Sequence, residues 1–467
     1  MTSELSVGML LAPGDSQPIV ARMFGADPIA AVATAPGTGA VALIRVSGND
    51  LGPIAARLFP AGLGAARRAV VRSLNDAEGN AVDNVVLTHF PKPHSYTGED
   101  VLEIGCHGGV LMTSQVLETV LKAGARSAGP GEFTQRAFFN GKMDLTQAEA
   151  VMDVISAQTT LALRSANSQL AGRLGQTITD LRDSLLGILA HLEAYIDFPE
   201  EKIDPETGSV LRGRMEEVQT RLEKLLATAD QGRILRHGAK VVLCGTPNAG
   251  KSSLLNVLLG FDRAIVSPTP GTTRDTIEEV INLRGLPLRF IDTAGLRETS
   301  DSIEQQGVAR SNAALLEADV ILEIVDASQP ATARIALPPD ATRHQLLVLN
   351  KTDLPRHPDW QQKQGCALSC LTREGIDNLS QQLFALLVSD PTSLATDPIA
   401  INARHQACLL QARQHLADAL QVADTDTSPE FIALEIRAAM DALGDIVGGL
   451  DTEDLLGKIF SEFCIGK

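Results

Sequence analysis

Gly245-Thr246-Pro247-Asn248-Ala249-Gly250-Lys251-Ser252-Ser253 fits the pattern G-x-x-x-x-G-K-[ST] of a phosphate-binding loop. An apolar run of strand length, Lys240-Val241-Val242-Leu243-Cys244, leads into it. Leu254-Leu255-Asn256-Val257-Leu258-Leu259 follows as the start of a helix. In that setting the pattern has a mechanism. Glycines let backbone N–H groups turn inward around phosphate oxygens, and the helix offers its positive N-terminal end to the same anion. Lys251 is placed to reach the β- and γ-phosphates and Ser252 to offer its hydroxyl to Mg²⁺. A chance glycine turn is the competing account, and both flanks speak against it.

Four further stretches follow in order. Gly271-Thr272-Thr273-Arg274-Asp275 stands at the place of a first switch, where Thr273 can cap Mg²⁺ in the presence of a γ-phosphate. Asp292-Thr293-Ala294-Gly295 comes after the apolar Leu288-Arg289-Phe290-Ile291. Its aspartate can hold Mg²⁺ through water, and the Gly295 amide can meet the γ-phosphate. Asn350-Lys351-Thr352-Asp353 comes after Gln345-Leu346-Leu347-Val348-Leu349. Asp353 has two acceptor oxygens for the N1–H and exocyclic amine of guanine, a donor pair that adenine lacks. Ser369-Cys370-Leu371 stands where a last loop supports the base. Each tetrapeptide alone is an ordinary turn; the ordered series, each member after a strand, resembles the translation-factor-like GTPase superfamily with GTP as substrate. One departure is Leu296, where Ras-like enzymes carry a glutamine that orients the attacking water. Asp301 and Glu304, just beyond, are carboxylates able to orient water, or solvated charges on a loop.

The chain of 467 residues is long enough for about three domains. A hydrophobic content of 44% supports packed cores. The formal net charge of −17 argues against a broad nucleic-acid-coating surface, and 3% aromatic residues against a stacking platform for single strands. Six cysteines, at 106, 244, 366, 370, 408 and 464, form no C-x-x-C pair, which disfavours a zinc site or a disulfide framework and points to a reducing, cytoplasmic setting. No apolar run has the length of a membrane span, and residues 1–25 read as a loose leader.

The predicted organisation has several parts. Residues 26–143 mix strands (29–34, 40–46, 85–90, 99–104) with a helix at 110–123, an α+β domain. From 144 to 237 the period becomes helical. Leu181, Leu185, Ile188, Leu192 and Tyr195 share one helix face, and Leu211, Met215, Val218, Leu222 and Leu225 share another. Residues 238–390 alternate strand and helix as an α/β P-loop GTPase domain. Helical character returns in 391–467, with Ile436, Met440, Leu443 and Val447 on one face. The economical fold is multidomain: an α+β N-terminal domain, a discontinuous α-helical domain, and a GTPase domain inserted within it.

The remaining signal is a family resemblance. Ala42-Leu43-Ile44-Arg45-Val46-Ser47-Gly48, Tyr96-Thr97-Gly98-Glu99-Asp100-Val101-Leu102-Glu103, His107-Gly108-Gly109, Pro130-Gly131-Glu132-Phe133-Thr134, Arg136-Ala137-Phe138, Asp144-Leu145-Thr146-Gln147-Ala148-Glu149-Ala150, Ile196-Asp197-Phe198-Pro199 and the terminus Phe463-Cys464-Ile465-Gly466-Lys467 resemble the MnmE (TrmE) family of tRNA-modification GTPases. The resemblance implies a folate-binding-like N-terminal domain that forms a homodimer. It implies a partner of the MnmG (GidA) type that contains FAD, in a heterotetramer or larger complex. It also implies addition of an aminomethyl or carboxymethylaminomethyl group to C5 of the wobble uridine of certain tRNAs. A tetrahydrofolate derivative (5-formyl- or 5,10-methylene-tetrahydrofolate) supplies the one-carbon unit. Folate-site positions match Arg45, Glu103, Lys142 and Lys467. Positions for K⁺, the stand-in for an arginine finger, match Asn248, Ser267, Thr269 and Thr272, in a loop that reads Ser267-Pro268-Thr269-Pro270-Gly271. Glu304 matches the family's water-orienting glutamate, and Cys464 a near-terminal cysteine that is either a reactive thiol or a tail residue. The rival reading is a ribosome-assembly or RNA-binding switch GTPase, which shares the whole nucleotide series. A dynamin-like membrane protein lacks its basic amphipathic helix here.

Overall fold

A computed structural model describes residues 27–197, 209–260, 278–292, 314–331, 344–388, 399–424, 429–449, 453–461, 463 and 465–466. The chain divides into two compact units, Met1–Ala148 with Leu450–Lys467, and Glu149–Gly449.

The first unit runs β1 (Ile29–Val32), β2 (Val41–Gly48), α1 (Gly52–Leu58), β3 (Val70–Asn75), β4 (Ala81–Phe90), β5 (Asp100–His107), α2 (Val110–Lys122), β6 (Arg126–Ser127) and α3 (Glu132–Phe139). The six strands lie in the order β3-β4-β5-β2-β1-β6, antiparallel except for β1 with β6. Alternation divides each strand between two faces. Ala42, Ile44 and Val46 of β2 and Leu102, Ile104 and Cys106 of β5 turn to a core that includes Ile54 and Leu58 of α1 and Val116 and Val120 of α2. The intervening residues line the other face, among them Arg45, opposite Glu103, and Val71, opposite Val86. Short β3 and β6 had no clear signal in the sequence. The helix α4 (Leu145–Ser156) begins here and continues into the second unit.

The second unit continues with α5 (Thr160–Leu170), α6 (Arg173–Asp197), α7 (Ser209–Leu226) and α8 (Ala229–His237), then β7 (Ala239–Cys244) and α9 (Lys251–Leu259). There follow β8 (Glu278–Leu283), β9 (Leu286–Asp292), β10 (Val320–Asp326), β11 (His344–Asn350), α10 (Pro358–Gln361), β12 (Cys366–Ala367), α11 (Ile376–Leu387), α12 (Ala403–Asp424) and α13 (Pro429–Val447). The apolar faces of α6 and α7 meet those of α12 and α13 in one core: Leu181, Leu185 and Ile188 with Met215, Leu222, Leu409, Leu416, Ile436 and Leu443. Tyr195, expected on the same face, is instead 38% exposed. It stands two residues from the end of α6, where its hydroxyl stays wet. Met440 and Val447 are only partly buried beside this core.

The second sheet has the order β12-β11-β10-β7-β9-β8, parallel except for the β8–β9 hairpin. Strand β10 is buried from Val320 to Val325 and apolar there except for Glu323, because both of its faces are covered. After β7 the chain first builds β8 and β9 on one side and then β10 on the other. The end of β7 is thus a topological switch point, the usual place for a ligand in such sheets. At the root of this sheet three helices are tied by charge. Asp153 of α4 pairs with Arg236 of α8 at 2.5 Å. Glu149 of α4 pairs with Arg404 of α12 at 2.9 Å and lies 2.7 Å from Nε2 of His405.

The last helix, α14 (Glu453–Ser461), belongs with the first unit. Phe460 and Phe463 bury here, and Ile465 bridges to Pro130. Gly466 has φ of 99°, and a Cβ there would lie 2.3 Å from the Val32 carbonyl oxygen. Only glycine lets the tail approach this strand so closely.

Candidate functional site

The phosphate loop leaves β7 and ends at Gly250, which caps α9 with φ of 101°. A Cβ at Gly250 would stand 2.1 Å from Nδ2 of Asn350. The reason is a direct tie. That amide donates to the carbonyl of Ala249 at 2.8 Å, while Asn350 Oδ1 accepts from the Cys370 amide at 3.2 Å. Asn350, nearly fully buried, therefore bolts the phosphate loop to both base-side loops. Lys251 Nζ donates to the carbonyls of Gly245 and Thr246, each at 3.0 Å, so its ammonium is held over the loop. Asn248 takes φ of 61°, and Asn248, Ser252 and Ser253 are exposed at the mouth.

On the base side, Ser369 Oγ donates to Asp353 Oδ1, and the Thr352 amide donates to Leu368 O at 3.2 Å. Ser369 is fully buried and sets the direction of an exposed Asp353. Leu371 stands 83% exposed beside it. Burial pushes the Cys370 thiol up to about 11, so it stays neutral at this wall. The structure thus brings together Ala249, Gly250, Asn350, Asp353, Ser369 and Cys370. Residues Ser267, Pro268, Thr269, Pro270, Gly271, Thr272, Thr273, Thr293, Ala294, Gly295, Leu296 and Glu304 lie outside the described residues, and Asp292 is described only as the last backbone position of β9.

A second polar site lies on the other face of the first sheet, beside Phe133 of α3. Arg45 Nη2 donates to Glu103 Oε1 at 2.8 Å and Arg45 Nε to the same oxygen at 3.2 Å. The guanidinium sits 5.2 Å from the ring centroid of Tyr96 and 5.9 Å from that of Phe133. Such a placement favours a cation over an aromatic face. Burial raises the Tyr96 phenol above its ordinary value, and its hydroxyl bonds Thr134 at 2.8 Å. Lys142 donates to Pro93 O at 3.0 Å, with no hydrogen bond to the Arg45–Glu103 pair among the described residues. Lys467 and Cys464 lie outside them.

The same unit carries a charge network that sequence reasoning missed. Arg136, 1% exposed, pairs with Glu99 at 3.0 Å and Glu132 at 2.9 Å. Glu132 also takes a two-pronged contact from Arg126 at 2.8 and 2.6 Å. Ser47 donates to Glu99 at 2.8 Å. Two carboxylates face two guanidiniums, so the buried charge cancels. All but Arg126 sit inside family-like stretches, but nothing in a single sequence separates them from surface charge. A cavity of about 710 Å³ opens elsewhere in this unit, lined by Val32, Val41, Val110, Leu117 and the tail residue Ile465.

A parallel sheet with a glycine-cradled anion site at its switch point, locked to an Asn-Lys-x-Asp loop, defines a guanine-nucleotide-binding P-loop protein. Comparison with known families narrows this. Residues 145–464 match the MnmE helical domain and residues 28–142 the GTP-binding protein TrmE N-terminus. The tRNA modification GTPase MnmE of Akkermansia muciniphila is 52% identical over 94% of this chain and 98% of its own length. The protein of that name from Chloroflexus aurantiacus is 46% identical over 94% and 100%, and that from Geobacter sulfurreducens 44% over 95% and 100%. The chain belongs to the MnmE family of tRNA modification GTPases, and by class it is a GTP hydrolase. No described helix is long and apolar enough to cross a membrane.

Proposed function

We propose that this protein is a K⁺-dependent GTPase. With an FAD-containing partner of the MnmG type, it installs the (carboxymethyl)aminomethyl group at C5 of the wobble uridine in certain tRNAs. A tetrahydrofolate derivative supplies the carbon. The observation that carries the reading is the joint match of both family regions with a nucleotide site locked by Asn350. In this reading the protein is a cytoplasmic homodimer. Its domains are 26–143 (folate and dimerisation), 144–237 with 391–467 (helical, although residues 450–467 fall in the first compact unit) and 238–390 (GTPase, inserted in the helical domain).

The donors present suit the ions. Asn248 and Ser252 offer hard oxygen ligands at the mouth, as K⁺ and Mg²⁺ require. With Ser267, Thr269 and Thr272, Asn248 would hold K⁺; with Thr273 and Asp292, Ser252 would hold Mg²⁺. The ions supply charge against the phosphates, and Glu304 orients the attacking water. Lys251, already held above the loop, stabilises charge on the phosphates. Arg45, Glu103, Lys142 and Lys467 are assigned to folate. The aromatic Tyr96 beside a paired carboxylate suits a flat, hydrogen-bonding heterocycle and supports that assignment.

Mass spectrometry of tRNA from cells lacking this protein tests the proposal. Loss of the wobble-uridine modification is expected. Intact modification with a ribosome-assembly defect would transfer the function to the switch-GTPase alternative. GTP turnover faster in KCl than in NaCl is the companion expectation; equal rates would remove Asn248 from a K⁺ role.

A further inference from the structure

Asp326 falls outside every motif of the nucleotide series, yet it is wired into the site. It ends β10 directly across from Asn350 at the end of β11. Its Oδ1 accepts from the Ser328 amide at 3.0 Å and from the Ser328 hydroxyl at 2.6 Å, which closes the turn that leaves the strand. Its Oδ2 accepts from Lys351 Nζ at 2.6 Å. Burial would raise this carboxyl, but Lys351 and Ser328 outweigh it and hold Asp326 below the usual carboxylate range. Lys351 is the second residue of the Asn-Lys-x-Asp loop and has φ of 64°, a region that a side-chain-bearing residue occupies only when its surroundings hold it. Those surroundings are tight. The Ala327 amide donates to Asn350 O at 2.9 Å, and the Thr352 amide is fixed to Leu368 O. The pair is also sheltered, with side-chain exposures of 35% for Lys351 and 16% for Asp326.

We propose that Asp326 is a positioning residue for the guanine nucleotide: it fixes the direction of the Lys351 side chain and so sets how long a guanosine di- or triphosphate stays bound. The proposal rests on the guanine-nucleotide reading of this site. The physical basis is pre-organisation. A free lysine side chain samples many rotamers, and Asp326 removes that freedom before the ligand arrives. It also neutralises the ammonium. Lys251 remains the cation directed at phosphate, and the methylene stem of Lys351 stands as a fixed wall next to Asp353. No motif search finds this, because the partner of Lys351 is supplied by a different strand.

The test is release of fluorescent N-methylanthraniloyl-GDP from the full chain, chased with unlabelled GDP. Asp326→Asn keeps the shape and can still accept from Ser328, but loses the charge toward Lys351; release about ten-fold faster is expected. Lys351→Met should accelerate release as well, and Asp326→Asn added to Lys351→Met should add nothing further, since both remove one interaction. Ser328→Ala, which removes the hydroxyl bond to Asp326 Oδ1 but keeps the backbone amide bond and the Lys351 contact, should leave release within about two-fold of wild type. Wild-type release in Asp326→Asn, additive effects in the double variant, or the full effect in Ser328→Ala would each overturn the proposal. Failure of the wild-type chain to bind the probe would instead refute the guanine-nucleotide reading. The unfolding midpoint of each variant, read alongside, separates a lost fold from faster release.

Discussion

The nucleotide site and the Arg45–Glu103 site are built in opposite ways. The first is made largely of backbone: glycines, loop amides and a helix end, with Asn350 as the bolt. Its parts are short and contiguous, each placed at the end of a strand. The second is made of side chains that meet only because β2 and β5 pair, with Arg45 and Glu103 lying 58 residues apart in the chain. Beneath the second lies a buried ionic network; beside the first, helices are pinned by Glu149 and Asp153. Backbone-built sites tolerate variation in side chains but not in glycine. Side-chain-built sites depend on each pairing separately.

The largest effect is expected under the side-chain-built site. Arg136→Met leaves Glu99 and Glu132 buried with one guanidinium fewer. Breaking a buried pair in this way costs about 3–5 kcal/mol. Chemical denaturation of the full chain should show early unfolding of the first unit, while GTP still binds. A loss below about 1 kcal/mol would mean that the network is as dispensable as a surface pair.

The next effect belongs to the root of the nucleotide sheet. Burial pushes Glu149 up, but His405 and Arg404 outweigh it and bring the carboxyl from 4.5 down to about 2. His405 is itself held below its ordinary value, burial outweighing its contact with Glu149. A carboxyl lowered on folding stabilises above its unfolded value and loses that contribution as pH falls through the folded one. The window is therefore pH 4.5 to about 2, and the contribution is about 3 kcal/mol. Asp153 works in the other sense. Burial raises it to about 6 despite Arg236, so stability tied to this group grows as pH falls from 6 toward 3.8. Wild type should lose stability between pH 4.5 and 2 more steeply than Glu149→Gln. Parallel pH curves would remove Glu149 from the joint.

Gly250→Ala tests the backbone-built site directly. It forces φ of 101° on a residue with a Cβ and drives that atom against the Asn350 amide. The strain alone is worth about 2 kcal/mol. Nucleotide affinity measured by fluorescence titration should fall by more than ten-fold, with the Arg45–Glu103 pair undisturbed. Unchanged affinity would show that Asn350 can let go of Ala249 at no cost.

The same contrast explains what the sequence made legible. The loop at 245–253, the aspartate ending β9 and the Asn-Lys-x-Asp loop were readable because strand, turn and helix signals are local. The helix faces of α6, α7 and α13 were readable from period, except at Tyr195, which emerges into water, and at Met440 and Val447, which are only partly buried. The burial of Arg136 was not readable. A guanidinium at that position looks the same in sequence whether it faces water or two carboxylates; only the packing of α3 against the first sheet decides it. Asp326 left a partial signal, an acid closing a mostly apolar strand as Asp292 does, but its partner Lys351 comes from the loop just after β11. The folate assignment of Arg45 came from family resemblance, because an arginine on a strand has no chemistry of its own until Glu103 and Tyr96 are beside it.

Arg45→Lys gives the smallest and most discriminating change. Lysine keeps the charge but cannot reproduce the forked contact of Nη2 and Nε with Glu103, nor the stacking of a planar cation over Tyr96. The pair is partly exposed, so the cost in stability is small, about 1 kcal/mol or less. Binding of 5-formyl-tetrahydrofolate, measured by calorimetry, should weaken by about ten-fold, because orientation rather than charge is lost. GTP turnover should not change, since Arg45 belongs to the other unit. Equal folate binding by Arg45→Lys and wild type would reduce Arg45 to a point charge. Loss of GTP turnover would mean that the two sites, built so differently, are nevertheless one device.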